Sequence, residues 1–366
     1  MEHIRSFLKR KNIVFSAKRY FIDAMSAMAQ GLFCTLLVGT ILNTLGSQFH
    51  IGFLQATIIT LGSGAITYTI GSLCSAMVGP AMAVAIGYAL QAPPLVLFSL
   101  ISVGFATNSM GGAGGPLAVF FVAIISTEIG KAVSKETKVD LLVTPIVTTL
   151  IGIGVAAVIA APIGKAASAI GSFIMWATDL RPFLMGMLVS VVVGMALTLP
   201  ISSAAICAAF GLTGLAGGAA VAGCCAQMVG FAVMSFRENR WGGLIAQGIG
   251  TSMLQMGNIV RNPKIWIPPT LCAAITGPIA TCVFHLEMNG AAVSSGMGTC
   301  GLVGQIGVYT GWISDIAAGS KVAITGMDWW GLLLISFFLP ALVTWLLSLP
   351  LRHWGWIGGD DLKLDL

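Results

Sequence analysis

Asn108, Ser109, Gln247, Thr251, Ser252, Gln255 and Asn258 are uncharged polar side chains gathered in two short segments, GFATNSMGGAGGP at 104–116 and GLIAQGIGTSMLQMGN at 243–258. Within an otherwise apolar chain, their amides and hydroxyls can replace the water shell of a polar solute. Read singly, each is an interhelical hydrogen-bond partner beside small residues. As a group, confined to two segments, they point to solute recognition, with Gly111, Gly112 and Gly257 expected to allow tight backbone bends beside them. Asn289, with His285 and Glu287, is a further candidate contact at the start of the Gly-rich stretch 285–327, for which the sequence leaves two readings open, a lid folded over the outer mouth or an extra re-entrant element. His285 and Glu287 read first as a satisfied interfacial pair.

Other chemistry is missing from the pattern. There is no metal-ligand spacing, no Ser/His/Asp set and no phosphate-binding glycine loop, so the sequence predicts no catalytic residue, no metal and no cofactor. Eight cysteines without a CxxC pair indicate neither zinc nor a disulfide framework, and Cys224 and Cys225 read as small residues at helix contacts. Glu128, Asp140 and Glu287 fall at the ends of apolar runs. A charge at mid-membrane costs about 2.5–3.5 kcal/mol on insertion scales, so a buried carboxylate relay is not expected.

The elements that must position these residues are membrane spans. Of 366 residues, 57% are hydrophobic and only 8% charged, against roughly 25% charged in an average soluble domain. The mean hydropathy is +0.94, and between Arg19 and Glu128 the only formal charge is Asp23. A water-facing domain does not form from such a stretch. The net charge of +5 is spread over loops and forms no stripe, which excludes a nucleic-acid binder.

Apolar runs fall near 24–45, 52–70, 72–90, 95–112, 114–130 and 141–161, then near 183–200, 202–217, 220–236, 242–259, 266–285 and 331–350. CSAMVGPAM (74–82) and CAQMVGFAV (225–233) agree at five of nine positions at a shift of 151, and Gly104, Met110 and Gly111 recur as Gly250, Met256 and Gly257 at a shift of 146. Two ordered matches at nearly one offset indicate a duplication. The basic residues then decide its sense. If all twelve runs cross, Lys and Arg divide 12 inside to 6 outside; if 95–112 and 242–259 are re-entrant, the division is 15 to 3. The sequence therefore predicts an all-α integral membrane protein of about ten transmembrane helices in two inverted repeats, each with a re-entrant segment. Corresponding re-entrant tips would bring Asn108 and Ser109 close to Gln247, Thr251, Ser252 and Gln255 at mid-membrane.

The expected organisation is a single polytopic domain, 1–366: an amphipathic cytoplasmic helix at 1–20, a first repeat at 21–161, a connector at 162–181, a second repeat at 182–350 and a cytoplasmic tail at 351–366. In the first of these, Ile4, Phe7, Leu8, Val14 and Phe15 interleave with six basic residues, which suits an anionic membrane surface. No small-residue cleavage site follows, so no removable signal peptide is expected. Trp329, Trp330, Trp345, Trp354 and Trp356 bracket the last span as interfacial anchors.

STEIGKAVSKETKVDLLVTP (126–145), RPFLMGMLVSVVVGMALTLPISSAAI (181–206) and NGAAVSSGMGTCGLVGQIG (289–307) resemble the EIIC-type membrane proteins of the phosphotransferase system. The similarity is to the branch labelled putative toxin regulator, or perfringolysin-regulator-like. It implies a bacterial inner-membrane permease, a homodimer, of the group that moves sugars coupled to phosphorylation. The basic residues place both termini in the cytoplasm. The repeat, the re-entrant segments and the resemblance together lead to the expectation that a small polar solute, a sugar or sugar-like compound, is carried by alternating access. About 16 residues follow the last span, far fewer than the 50 or so of a minimal domain, so phosphorylation is expected from separate cytoplasmic phosphoryl-carrier proteins. Two alternatives stay open: a membrane-embedded solute sensor without transport, and a secondary transporter uncoupled from phosphorylation.

Overall fold

The computed structural model describes residues 2–62 and 66–364; Met1, 63–65 and the end of the tail at 365–366 lie outside it, as do the side chains of Glu2, His3, Ile4, Arg5 and Gln48. The described residues are mostly helical, with one small, largely exposed antiparallel pair among them, Ile59–Leu61 with Ile66–Tyr68. Among the described residues, six helical stretches are long and apolar enough to cross a membrane. These are Arg19–Ser47, Pro94–Val133, Asp140–Thr178, Gly214–Met234, Pro263–Val283 and Gly326–His353. Ile70–Ala76 and Val78–Ala89 pass the same test as one span bent by 50°. The chain is therefore an all-α, multi-pass membrane protein.

Two compact units divide it, residues 1–39 with 56–166, and 40–55 with 167–366. In the first unit, Pro94–Val133 is not one long rod. Val96 packs on Gly130 and Asn108 on Gly115, so Pro94–Gly111 and Gly115–Val133 lie antiparallel. The turn is Gly112, at φ 51° and ψ −127°, a conformation that a residue with a Cβ rarely adopts. Segment 95–112, expected to be re-entrant, is thus a continuous helix. Its polar residues do not break it because they bond back onto it: Thr107 Oγ1 donates to the Val103 carbonyl at 2.7 Å and Ser109 Oγ to Phe105 at 2.9 Å.

Polar residues close the end of this unit where Glu128 sits. Glu128, expected at an interface, is buried, with Lys131 3.0 Å away and Tyr20 Oη donating to it at 3.1 Å. Lys131 Nζ also donates to the carbonyls of Asn12 (2.7 Å) and Leu90 (3.0 Å). The N-terminal helix Glu2–Arg10 is fastened beside this group, with Lys11 and Arg10 at 2.5 and 2.8 Å from Glu136. The hydrogen bond from Lys11 is the largest cause holding the Glu136 carboxyl below its ordinary pKa. A depressed folded value means that this clamp contributes fully above the ordinary carboxylate range and is lost as pH falls through the lowered value. A spin label at Ser6 is expected to gain mobility only on that acidification. Glu136→Gln should abolish the transition, and its persistence in that variant would show that another group carries it.

In the second unit the helix Gly214–Met234 is the hub, 17 of its 21 residues buried, with Pro182–Thr198, Ile267–Pro278 and Leu339–His353 packed round it. Glycines set the spacing. A Cβ on Gly223 would stand 1.9 Å from the Ser190 carbonyl oxygen, and one on Gly194 would stand 2.6 Å from that of Gly223. Small residues let backbones approach where lipid offers no hydrophobic drive to associate. The two sequences matched as a repeat differ locally: Cys74–Met82 straddles the bend at Met77, whereas Cys225–Val233 lies inside this unbroken helix. Asp140–Thr178 also runs unbroken into the expected connector, with Pro145 and Pro162 inside it.

Candidate functional site

Two irregular segments approach each other along the hub helix within the second unit. The first is 239–262. It leaves helical geometry at Arg240 (φ 51°), passes through a π-helical turn at Ala246–Gly250, becomes extended at Thr251 (φ −157°, ψ 140°), and returns as Ser252–Gln255 and Met256–Arg261. Gln247 and Gln255 stand on either side of Thr251 and bond to each other at 2.9 Å, so the two arms of the segment lie side by side. Gln247 also donates to Ser235 Oγ (2.8 Å) at the end of the hub, while Ser252 reaches Thr198 (2.8 Å) deeper in.

The second segment is the Gly-rich stretch, which packs against the hub. Met288 pairs with Gly214 at the start of the hub through two backbone bonds. From there the chain descends as Ala292–Gly296 and Cys300–Leu302 and returns as the helix Val303–Ala317. Gly304 lies on Gly298, Gly307 on Ser294 and Gly311 on Asn289, which makes the whole an antiparallel hairpin. Ser294, Ser295, Met297, Thr299 and Cys300 are buried, because the mostly apolar sequence packs on protein where a solvated loop would leave it exposed. Between its anchor at Gly214 and its tip near Met228 the hub rises about 21 Å.

The tips meet. Thr299 Oγ1 donates to the Gly248 carbonyl at 2.5 Å. Beside them Gln227, fully buried on the hub, accepts from Trp266 Nε1 (2.9 Å) and Thr198 (3.4 Å) and donates to Thr270 (3.2 Å). On the returning helix, Gln305 Nε2 reaches Cys225 Sγ, but its buried Oε1 has no partner among the described residues. An unmet buried acceptor costs about 1–3 kcal/mol, and a hydroxyl donor would relieve it.

The chain's own tail covers the Gln/Asn side of this arrangement. Gln255 donates to the Leu362 carbonyl (3.0 Å) and Asn258 to that of Lys363 (2.8 Å), while Asn239 bonds both Leu362 O and Leu364 N. Leu362 is fully buried, so the tail is packed in place as well as hydrogen-bonded.

The structure brings together Gln247, Thr251, Ser252, Gln255 and Asn258 on the first segment. Asn289 is apart from them: it bonds Gly214 N (3.1 Å), Glu287 (3.1 Å) and Asp315 (2.8 Å) at the far end of the hub, about 30 Å away by helix rise. Asn108 and Ser109 belong to the first unit, where Asn108 packs inside the hairpin and Ser109 is exposed. Gly111 ends a helix and Gly112 makes its turn, whereas Gly257 is helical and the bend of its segment falls at Thr251. Gln227, Gln305, Thr198 and Thr299 were not singled out by sequence. Gln227 had a visible signal as the sole amide in an otherwise apolar and glycine-rich helix; Thr198 and Thr299 had none, since hydroxyls in spans usually bond back to their own helix.

No group of three or more His, Cys, Asp or Glu side chains is arranged to hold a metal among the described residues. Residues 22–364 match the family described as Phosphotransferase system, EIIC. No curated protein and no solved structure matches the chain.

Proposed function

Because the chain belongs to the phosphotransferase-system EIIC family, the membrane permease component of that system, we propose that it carries a sugar by alternating access through the meeting point of the two segments. The observation that carries this reading is the meeting of Thr299 with Gly248 at the ends of the two broken segments, with Ser252, Thr198 and Gln227 linked beside it and the unmet acceptor Gln305 Oε1 on the returning helix. Broken elements that expose backbone carbonyls and amides at membrane depth are where transporters hold polar solutes. The sugar's hydroxyls would take the places now filled by side chain to side chain bonds and would donate to Gln305. Access past Gln255 and Asn258 requires the tail to withdraw, since its carbonyls hold both amides. Phosphorylation comes from separate carrier proteins, and both termini face the cytoplasm in keeping with the distribution of Lys and Arg.

Gln305→Leu separates function from folding. Removing a buried acceptor that has no partner should leave thermal stability unchanged or raised, while a sugar that donates to it loses affinity about tenfold. Phosphoenolpyruvate-dependent uptake of a panel of labelled sugars into vesicles measures the activity. Unchanged affinity in the variant would remove this site. Uptake that ignores phosphoenolpyruvate would favour an uncoupled secondary transporter, and binding without counterflow across the panel would favour a sensor.

A further inference from the structure

A groove of about 520 Å³ opens where the hub helix and the last span end, away from the convergence of the two tips. Its walls include Val233, Leu244, Trp345 and Leu349, and three guanidiniums, Arg237, Arg240 and Arg352, stand along it. We propose that this groove is a binding site for an anionic phospholipid, its phosphodiester held by Arg237 and Arg240 and its acyl chains lying on Trp345 and Leu349.

The apolar part of the occupant follows from the element that forms the wall. Gly326–His353 has a mean hydropathy of 2.3 in its best window, and Trp345 and Leu349 are exposed on it, so acyl chains are the solvent there. The charged part follows from an imbalance. Arg352 is already engaged, bonding Glu238 at 2.8 Å and the Met234 carbonyl at 2.9 Å. Arg237 and Arg240 are exposed, and neither has a hydrogen-bond or ion-pair partner among the described residues. Counting the adjoining pocket, Glu238 and Asp360 face Arg237, Arg240, Arg352 and Lys363, so two positive charges are in excess at the end of a span, the depth of lipid headgroups. Arg240 sits there through a backbone break at φ 51°, ψ −149°, a geometry unfavourable for a residue with a side chain and so held by its surroundings. Guanidinium groups match phosphate oxygens bidentately, whereas a zwitterionic headgroup brings its own cation and gains little. A basic pocket between helix ends beside an apolar groove therefore selects charge and acyl chain together.

The test is thermal stabilisation of the purified full-length protein in detergent on titration with phosphatidylglycerol, phosphatidylcholine or inorganic phosphate. Phosphatidylglycerol should raise the melting temperature at concentrations where the other two do nothing. Each surface guanidinium contributes roughly fivefold in affinity, so Arg237→Gln/Arg240→Gln should erase a preference of about 30-fold. Neither residue has a partner to lose, so the variant should elute and melt like the parent without lipid; if it does not, Arg237→Lys/Arg240→Lys keeps the charge, and partial retention of the preference in that variant supports the site. Equal stabilisation by phosphatidylcholine, equal stabilisation by phosphate, or a preference unchanged in the Gln variant would each overturn it.

Discussion

Lys131→Met is expected to destabilise the protein by about 3–5 kcal/mol, and Lys131→Met/Glu128→Leu to recover most of that loss. The two side chains are 1% and 9% exposed and 3.0 Å apart. Removing the cation alone strands a carboxylate in a medium where an uncompensated charge is costly. Removing both takes away the penalty along with the attraction. Few groups are left unpaired in the double variant, because Arg19 independently donates to the carbonyls of Asn12 (3.1 Å) and Leu90 (2.6 Å), leaving Tyr20 Oη as the group that loses its acceptor. Melting in detergent of the parent, both single variants and the double variant completes the cycle. A double variant as unstable as Lys131→Met would show that the bonds from Lys131 to the two carbonyls, and not the ion pair, hold this end of the hairpin together.

Gly223→Ala is expected to stop the second unit from assembling, although a methyl group in the middle of an apolar helix is otherwise among the mildest of changes. Its Cβ would stand 1.9 Å from the Ser190 oxygen, 2.5 Å from the Ser190 carbonyl carbon and 2.7 Å from its Cα. All three are backbone atoms, so no rotamer change relieves the overlap and the two helices must separate. The cost should meet or exceed the upper end of the roughly 1–3 kcal/mol typical of overpacking. It also loosens Pro182–Thr198, which carries Thr198 to Gln227 and Ser252. Gly154→Ala is the control: nothing lies within 4 Å of its Cβ position, so exchange there should be neutral or slightly stabilising. Size-exclusion profiles and melting temperatures compare them, and a Gly223→Ala protein as stable as the control would mean that the close approach is not needed.

Composition and periodicity determined by themselves that the chain is an all-α membrane protein, because 8% charged residues and runs of about 20 apolar ones admit no other solvent. The sequence also marked 243–258 as irregular, since glycines with amides and hydroxyls at membrane depth survive only where protein or a wet path surrounds them. The similar-looking 104–116 folds differently. Its hydroxyls bond to their own helix and a single glycine at φ 51° makes the turn, a choice set by helix-to-helix packing at Gly115 and Gly130 and not by local composition. The partner of 243–258 within its own unit was decided by tertiary structure alone: the Gly-rich stretch 289–317 turns inward because its apolar face finds the glycine-rich hub, and only that placement sets Thr299 on Gly248 and Gln305 beside Cys225. Burial of Glu128 was equally invisible, because whether a carboxylate at the end of an apolar run reaches water depends on what packs over it. Here Lys131 from the next turn, Tyr20 from another helix and the folded-back N-terminal segment enclose it, and the last two contacts join residues more than a hundred positions apart in the chain.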